Sequence, residues 1–271
     1  MVTLFIALVA ASGGFSAAYW AADLGVGWSV FLGAVAFAAV QLGFGLAFQR
    51  RVKSEMTKIQ GMLEAGQRRL QQKMQRKRWQ MDSIGSMQAV QKEMMDDTRE
   101  FVKEALAETD KLLRFKPWVL MLDRQVATAQ LQLNWMIRDF EKVDELFPKV
   151  LLLDPTTVAM KLARQQMRGD DLKDMEKTYL KGVRRLRYNQ NVLLAATWSW
   201  ILVKRGNVDE AFKALTEALK HSDDATLKRN HECLMNNRVA HFSNSGIGDQ
   251  WYSLCLEEPR MKTQRQRPVY R

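Results

Sequence analysis

VLLAATWSWILVKRGNVDEAFKALTEALKHSDDA, residues 192–225, is the stretch from which the fold is read. An apolar run with helical spacing comes first, then a Gly206-Asn207 break, then a second, amphipathic helix. Leu194, Trp198 and Leu202 fall on one face of the first helix, and Ala211 and Ala218 lie one above the other on the second. Small residues there let two helices cross closely while large neighbours fill the gap. Moved back by 34 positions, the pattern begins at Val158 and loses its small residues, because Lys177 and Arg184 take the places of Ala211 and Ala218. Moved back again, to Arg124, it improves. Phe140, Val143, Phe147 and Val150 make the inner face of a second helix, and Asp154-Pro155 closes the unit. Moved forward, to Thr226, it degrades into a last unit with Gly246, Gly248 and Pro259. Pro148 is expected inside a helix, which it should bend by removing one backbone bond.

The segment GNVDEAF…A with a turn near Ser222–Asp224 resembles one unit of the tetratricopeptide repeat family, and the resemblance covers residues 124–259. It implies a short stack of three to four helix pairs with a concave groove that holds another protein. Groove positions on the first helices of the units would include Asn134, Lys161, Gln165 and Trp200.

The N-terminal part has a different composition. The first 48 residues carry one charge, Asp23. Residues 2–22 and 28–48 are uncharged, and each run as a helix would span about 31 Å, the thickness of a bilayer's hydrocarbon core. Tyr19, Trp20 and Trp28 cluster at the turn between them, where aromatic rings favour the headgroup level. Ala10, Gly14 and Ala18, and Ala39 and Gly43, recur four apart and allow close helix contact in lipid. A cleaved signal peptide would lack its basic start here, and a second apolar run follows at once; a buried soluble hairpin, which the nearly uninterrupted apolar runs disfavour, and one span plus an interfacial helix are the other arrangements. Arg50, Arg51, Lys53 and Lys58 follow the second run while the turn has no Lys or Arg, which predicts that the turn faces out and both termini face the cytoplasm.

Residues 49–115 have no proline and read as one or two helices with a thin, Met-rich apolar stripe: Val52, Met56, Ile59, Leu63, Leu70, Met74 and Met81, then Ile84, Met87, Met94, Phe101, Ala105 and Leu112. Gly61, Gly66 and the residues around Ser83 weaken it and place a break near Ser83. The stripe has several readings: a coiled-coil seam joining two copies, a face on the repeats or the membrane, or packing within the protein. Lys116-Pro117 is expected to end this part, because the residue before proline resists helical geometry, and residues 118–138 to form the next helix.

The net charge of +11 sits in two places. Residues 50–80 carry ten Lys/Arg against Glu55 and Glu64, giving +8, and residues 260–271 give +5, which leaves −2 for everything else. Arg68, Arg69, Lys73, Arg76, Lys77 and Arg78 form the dense basic run. It reads as a solvated face, as a contact for anionic lipid, or, with Trp79 to stack a base, as a nucleic-acid surface; tethering beside a membrane disfavours the last. The C-terminal residues 261–271 read as a disordered basic tail. No GxxxxGK[ST], GxSxG or HExxH occurs, and His231 and Cys233 would point to different faces of a helix. Cys233 and Cys255 have no metal-site spacing and read as free thiols.

These signals predict an all-α chain. Residues 1–48 would be a transmembrane helical hairpin, 49–116 a long basic stalk, 117–259 a short tetratricopeptide-like α-solenoid, and 260–271 the tail. The layout is similar to that of the HemY-like inner-membrane proteins of bacteria, although the turn between the spans is much shorter here, so a role in haem synthesis is not carried over. The expected function is that of a non-enzymatic scaffold, without a cofactor, holding a protein partner at the cytoplasmic face of a bacterial inner membrane. Two alternatives stand beside it: a structural subunit of a larger membrane complex, self-associating through the stalk, and an electrostatic binder of anionic lipid or nucleic acid.

Overall fold

The computed structural model describes residues 2–21, 25–77, 84–119, 121–185 and 191–259, and every regular element among them is helical. The chain divides into two units, Met1–Leu151 and Leu152–Arg271. The first holds α1 (Val2–Ser16), a π-helical turn (Ala17–Ala21), α2 (Val26–Lys77), α3 (Ile84–Leu112), α4 (Leu122–Met136) and α5 (Phe140–Leu146). The second holds α6 (Pro155–Arg168), α7 (Leu172–Arg185), α8 (Val192–Lys204), α9 (Val208–Leu219), α10 (Ala225–Met235) and α11 (Asp249–Tyr252).

α2 is one unbroken helix of 52 residues, so the second apolar run and the first half of the expected stalk share a single axis. α1 packs along its apolar part. The seam is built from small groups, since a methyl on Gly14 would sit 3.1 Å from Ala36 Cβ and one on Gly33 would sit 3.0 Å from the Ala11 carbonyl oxygen. Ala7, Ala18 and Ser29 are buried along the same contact. Gly14 and Ala18 therefore do what their spacing suggested. On α2, however, Gly33 and Ala36 make the close approach; Ala39 is exposed and Gly43 faces open space.

Beyond Phe48 the apolar stripe of α2 meets that of α3, which runs back along it. Val52, Ile59, Val102, Ala105 and Leu112 form a buried cluster, with Met56, Leu63, Phe101 and Leu106 at its edge. The antiparallel register is marked by ion pairs of Lys73 with Asp97 and Lys77 with Glu93 at one end, and by Arg114 near Glu55 at the other. The stripe thus packs within the chain, and the expected stalk is a hairpin. Gly66 does not weaken it: the Phe101 ring lies where a Gly66 side chain would be, with ring atoms 2.7–2.9 Å from the Cβ position. The expected break near Ser83 lies outside the described residues.

The end of α3 differs from expectation. The α-helix stops at Leu112 and tightens into a 3-10 turn, Leu113–Phe115, while Lys116 keeps right-handed helical angles. Pro117 therefore does not end the helix through its predecessor. The next helix starts at Leu122 because Met121 adopts a left-handed conformation (φ 60°). Leu122, Val126 and Leu133 of α4 complete the α2–α3 core. Pro148 follows the end of α5 at Leu146 and bends no helix.

Four helices end alike. α4, α6, α8 and α10 are each followed by a residue with positive φ: Arg138, Gly169, Gly206 and Asn237. In each case the next amide reaches back to the last helical turn, Asp139 to Asn134 (2.9 Å), Asp170 to Gln165 (3.0 Å), Asn207 to Leu202 (2.9 Å) and Arg238 to Cys233 (2.7 Å). This pairing satisfies carbonyls that a helix end leaves without donors and reverses the chain sharply. A second helix follows at once in three of the four, α5, α7 and α9; after α10 the chain instead takes a 3-10 turn, Val239–His241. Asp139, Asp154 and Asp224 cap α5, α6 and α10 with their carboxylates, the role that favours Asp at such starts.

In the second unit α8 is central, with Leu193 through Leu202 all buried. Tyr179 of α7 stacks on its Trp198 at 5.4 Å. Asn244 donates to the Ala196 carbonyl (2.8 Å) and accepts from Asn230 (2.7 Å), tying the loop after α10 to α8. Trp200 and Trp251 pack edge to face, and both indole N–H groups donate to Glu257, at 2.8 and 2.9 Å.

The inward faces of α7 and α9 do not follow the expected step of 34. The inward face of α7 is Met175, Tyr179 and Gly182, whereas Lys177 and Arg184 are exposed. Met175 and Gly182 stand 36 positions before Ala211 and Ala218. The small residue that seemed missing is Gly182: a methyl there would lie 2.7 Å from Val158 Cγ1 and 3.0 Å from Leu194 Cδ2.

Gly182→Ala is expected to destabilise the chain by about 1–3 kcal/mol through overpacking. Gly61→Ala, in open space on α2, should stabilise it by about 0.5–1 kcal/mol. Urea unfolding of the full chain, followed by far-ultraviolet circular dichroism, measures both. Glu257→Ala leaves two indole donors without their acceptor and should lower stability by about 1–3 kcal/mol, with a shift in tryptophan emission reporting the loosened Trp200–Trp251 pair.

Candidate functional site

Two surfaces stand out, one apolar and one basic. The apolar one belongs to α1 and the first part of α2. Phe5, Leu8, Trp20, Trp28, Phe31, Leu42 and Leu46 are each more than half exposed. Water-facing surfaces rarely gather so many large apolar side chains contiguously. α2 is long and apolar enough to cross a membrane, with a mean hydropathy of 2.0 in its apolar window, while the apolar stretch of α1, Phe5–Trp20, is shorter. At the end of the apolar part Phe48 stacks on Trp118 (4.8 Å) and packs near Phe115 (6.3 Å), whose ring also carries the Arg114 guanidinium at 4.7 Å. Arg50, Arg51 and Lys53 are exposed just beyond.

The basic run of α2 is partly used in holding α3. Lys73 binds Asp97 (2.5 Å) and Glu93 (2.8 Å), and Lys77 also binds Glu93. Arg68 pairs with Glu64 at 3.3 Å. Arg69 and Arg76 are exposed, and Arg78 lies outside the described residues. A cavity of about 290 Å³ beside Lys73 is lined by acids as well as bases, Asp97, Glu100 and Glu104 among them, so it offers no field of one sign. Sequence alone showed the cations but not the acidic face of α3 that meets them.

Hydrogen bonds from Lys73 and then Lys77 hold the Glu93 carboxyl down at about 2, below its ordinary 4.5, and Asp97 and Glu93 raise the Lys73 ammonium. A depressed carboxylate stabilises the fold above its unfolded value and ceases to do so as pH falls from 4.5 toward 2. The raised lysine acts in reverse: its contribution is present below 10.5 and disappears as pH rises through its folded value. Protection of α2 and α3 amides from hydrogen exchange should therefore fall on that acid limb, and Glu93→Gln should flatten it.

The four residues expected to line a groove have separate settings. Asn134, on α4 in the first unit, is buried; its side-chain amide donates to the Gln130 carbonyl at 2.8 Å, and its Oδ1 has no partner. Trp200 is buried against Trp251 and closed over by Glu257, and Lys204 lies 5.3 Å over its ring. It is a packing residue because α11 and the segment after it cover this face of α8. Gln165 is half-buried with its Oε1 unpartnered. Lys161 faces α7, where it joins Lys177, Lys181 and Arg185 around a cavity of about 180 Å³. The α7 cations were legible as LKGVRR, but their convergence with Lys161 depends on how α6 packs against α7, which spacing alone does not give.

No family model, curated protein or solved structure matches the chain.

Proposed function

We propose that this chain is a membrane-anchored helical-repeat scaffold, tetratricopeptide-like in its helix pairs, which holds a protein partner at the cytoplasmic face of a bacterial inner membrane. The observation that carries the reading is the exposed apolar surface shared by α1 and α2. α1 and the apolar part of α2 are read as two spans in contact through Gly14, Gly33 and Ala36. Phe48, Phe115 and Trp118 then suit the level of the headgroups, with Arg50, Arg51, Lys53 and Arg114 on the cytoplasmic side of it. The recurrent left-handed helix ends at Arg138, Gly169, Gly206 and Asn237 support the repeat reading, because each makes the same helix–turn unit from a different local sequence.

A purely electrostatic role for residues 68–78 is less well supported, since Lys73 and Lys77 already have carboxylate partners. Assembly through the α2 stripe is likewise less favoured, because that stripe packs on α3 and α4.

Alkaline extraction of membranes from bacteria producing the chain should leave it in the pellet, and a reporter fused after Arg271 should be active in the cytosol. A photo-reactive residue at exposed Lys177 or Lys181 should give a discrete adduct with a second protein. Recovery in the soluble fraction, or a reporter active only outside the cytosol, would overturn the anchoring. Adducts with copies of the chain alone would overturn the scaffold role.

A further inference from the structure

Between α6 and α7 the molecule places charges of one sign around one concavity. Lys161 projects from α6, and Lys177, Lys181 and Arg185 from α7, around a cavity of about 180 Å³ with Val158 and Gly182 in its wall and no carboxylate among its lining residues. Lys177 is paired with Asp174 at 2.8 Å. No ion pair among the described residues involves Lys161, Lys181 or Arg185, and the following residues 186–190, LRYNQ, contain no acid. Lys161 is half-buried, and burial, with the Lys181 charge next, pushes its ammonium below the ordinary lysine value. This convergence of cations therefore costs free energy twice, through desolvation and through repulsion between like charges.

We propose that this cavity binds a phosphate group. An oxyanion among Lys161, Lys181 and Arg185 would offset both costs. Thr178 has its hydroxyl proton on the Asp174 carbonyl oxygen, at 3.1 Å, so the donors left to a ligand are ammonium and guanidinium groups, which favour a charged ligand over a neutral one. Donors arriving from two helices suit a tetrahedral anion with three or four acceptor oxygens better than a planar carboxylate with two. The volume, about 180 Å³, lies below the roughly 300–1,000 Å³ of sites that enclose drug-sized molecules. Among the described residues no aromatic ring lines the cavity to stack a base. The ligand is thus a compact phosphate, whether a free small molecule or the headgroup of a lipid. This inference stands apart from the membrane and scaffold readings, since it uses only α6 and α7.

The test is calorimetric titration of the full chain in detergent micelles, with inorganic pyrophosphate in one arm and short-chain phosphatidic acid in the other. Saturable binding to one site is expected. It should weaken about tenfold in Lys161→Met and in Lys181→Met, the loss of one charge-assisted contact each, and stay unchanged in Lys213→Met on α9. Carbon-13 NMR of lysines should show the Lys161 titration moving back up when the anion is bound, a change that non-specific charge screening would not confine to one residue. Binding of phosphatidic acid alone, lost in Lys161→Met, would assign the site to a lipid headgroup. Absence of saturation with both probes, or equal affinity in wild type and Lys161→Met, overturns the proposal.

Discussion

The antiparallel contact between the polar half of α2 and α3 governs the first unit. A helix as long as α2 that leaves an apolar region and continues into water has no tertiary support of its own, and isolated helix stability in water is marginal. Val52, Ile59 and the Phe101 ring seated at Gly66 supply that support by matching two thin stripes. Neither stripe would bury much alone. Together with Leu122 and Val126 of α4 they make a core, and the ion pairs of Lys73 and Lys77 fix the direction of the pairing. The return of α3 also brings Phe115 and Trp118 back to Phe48, so the chain enters α4 from beside the last residues of the apolar run.

Much of this was legible in the sequence, and the parts that were not share a cause. The long helices were legible from composition and periodicity, because apolar spacing is a local property. The stripe residues Val52, Met56, Ile59, Leu63, Phe101, Ala105 and Leu112 were read correctly as one-sided; what one face meets is not local, and an antiparallel return leaves no mark on spacing. Gly66 shows the same limit. On its own strand of sequence a glycine reads as a weak point, yet its missing side chain is the space that Phe101 fills. Gly14 was found because its spacing from Ala10 and Ala18 marks a small-residue face, while its partners Gly33 and Ala36 needed the depth of α1 along α2, which composition does not encode.

Residues 117–259 are helical as read, but their helix faces do not follow the step of 34. A fixed period of 34 assumes loops of constant length. The left-handed helix ends come at Arg138, Gly169, Gly206 and Asn237, which are unevenly spaced, so Lys177 was compared with Ala211 when Met175 was its counterpart. Lys161 was singled out for its place on α6, but Lys181 and Arg185 were not read with it, because the packing of α6 against α7 that brings them together is not a local property of the sequence. Trp200 failed for a different reason: the strand of chain after α10, too irregular to read from periodicity, folds over α8 and closes on it through Trp251 and Glu257.

The unbroken backbone of α2 has a mechanical corollary. Its hydrogen-bonded ladder has no kink-forming proline between Val26 and Lys77, so the two ends behave as parts of one axle. A slip by one residue along the axis is a travel of about 1.5 Å and a turn of about 100°. A rotation begun among Gly33 and Ala36 would meet the ion pairs of Lys73 and Lys77 with Asp97 and Glu93 at the far end of the same helix.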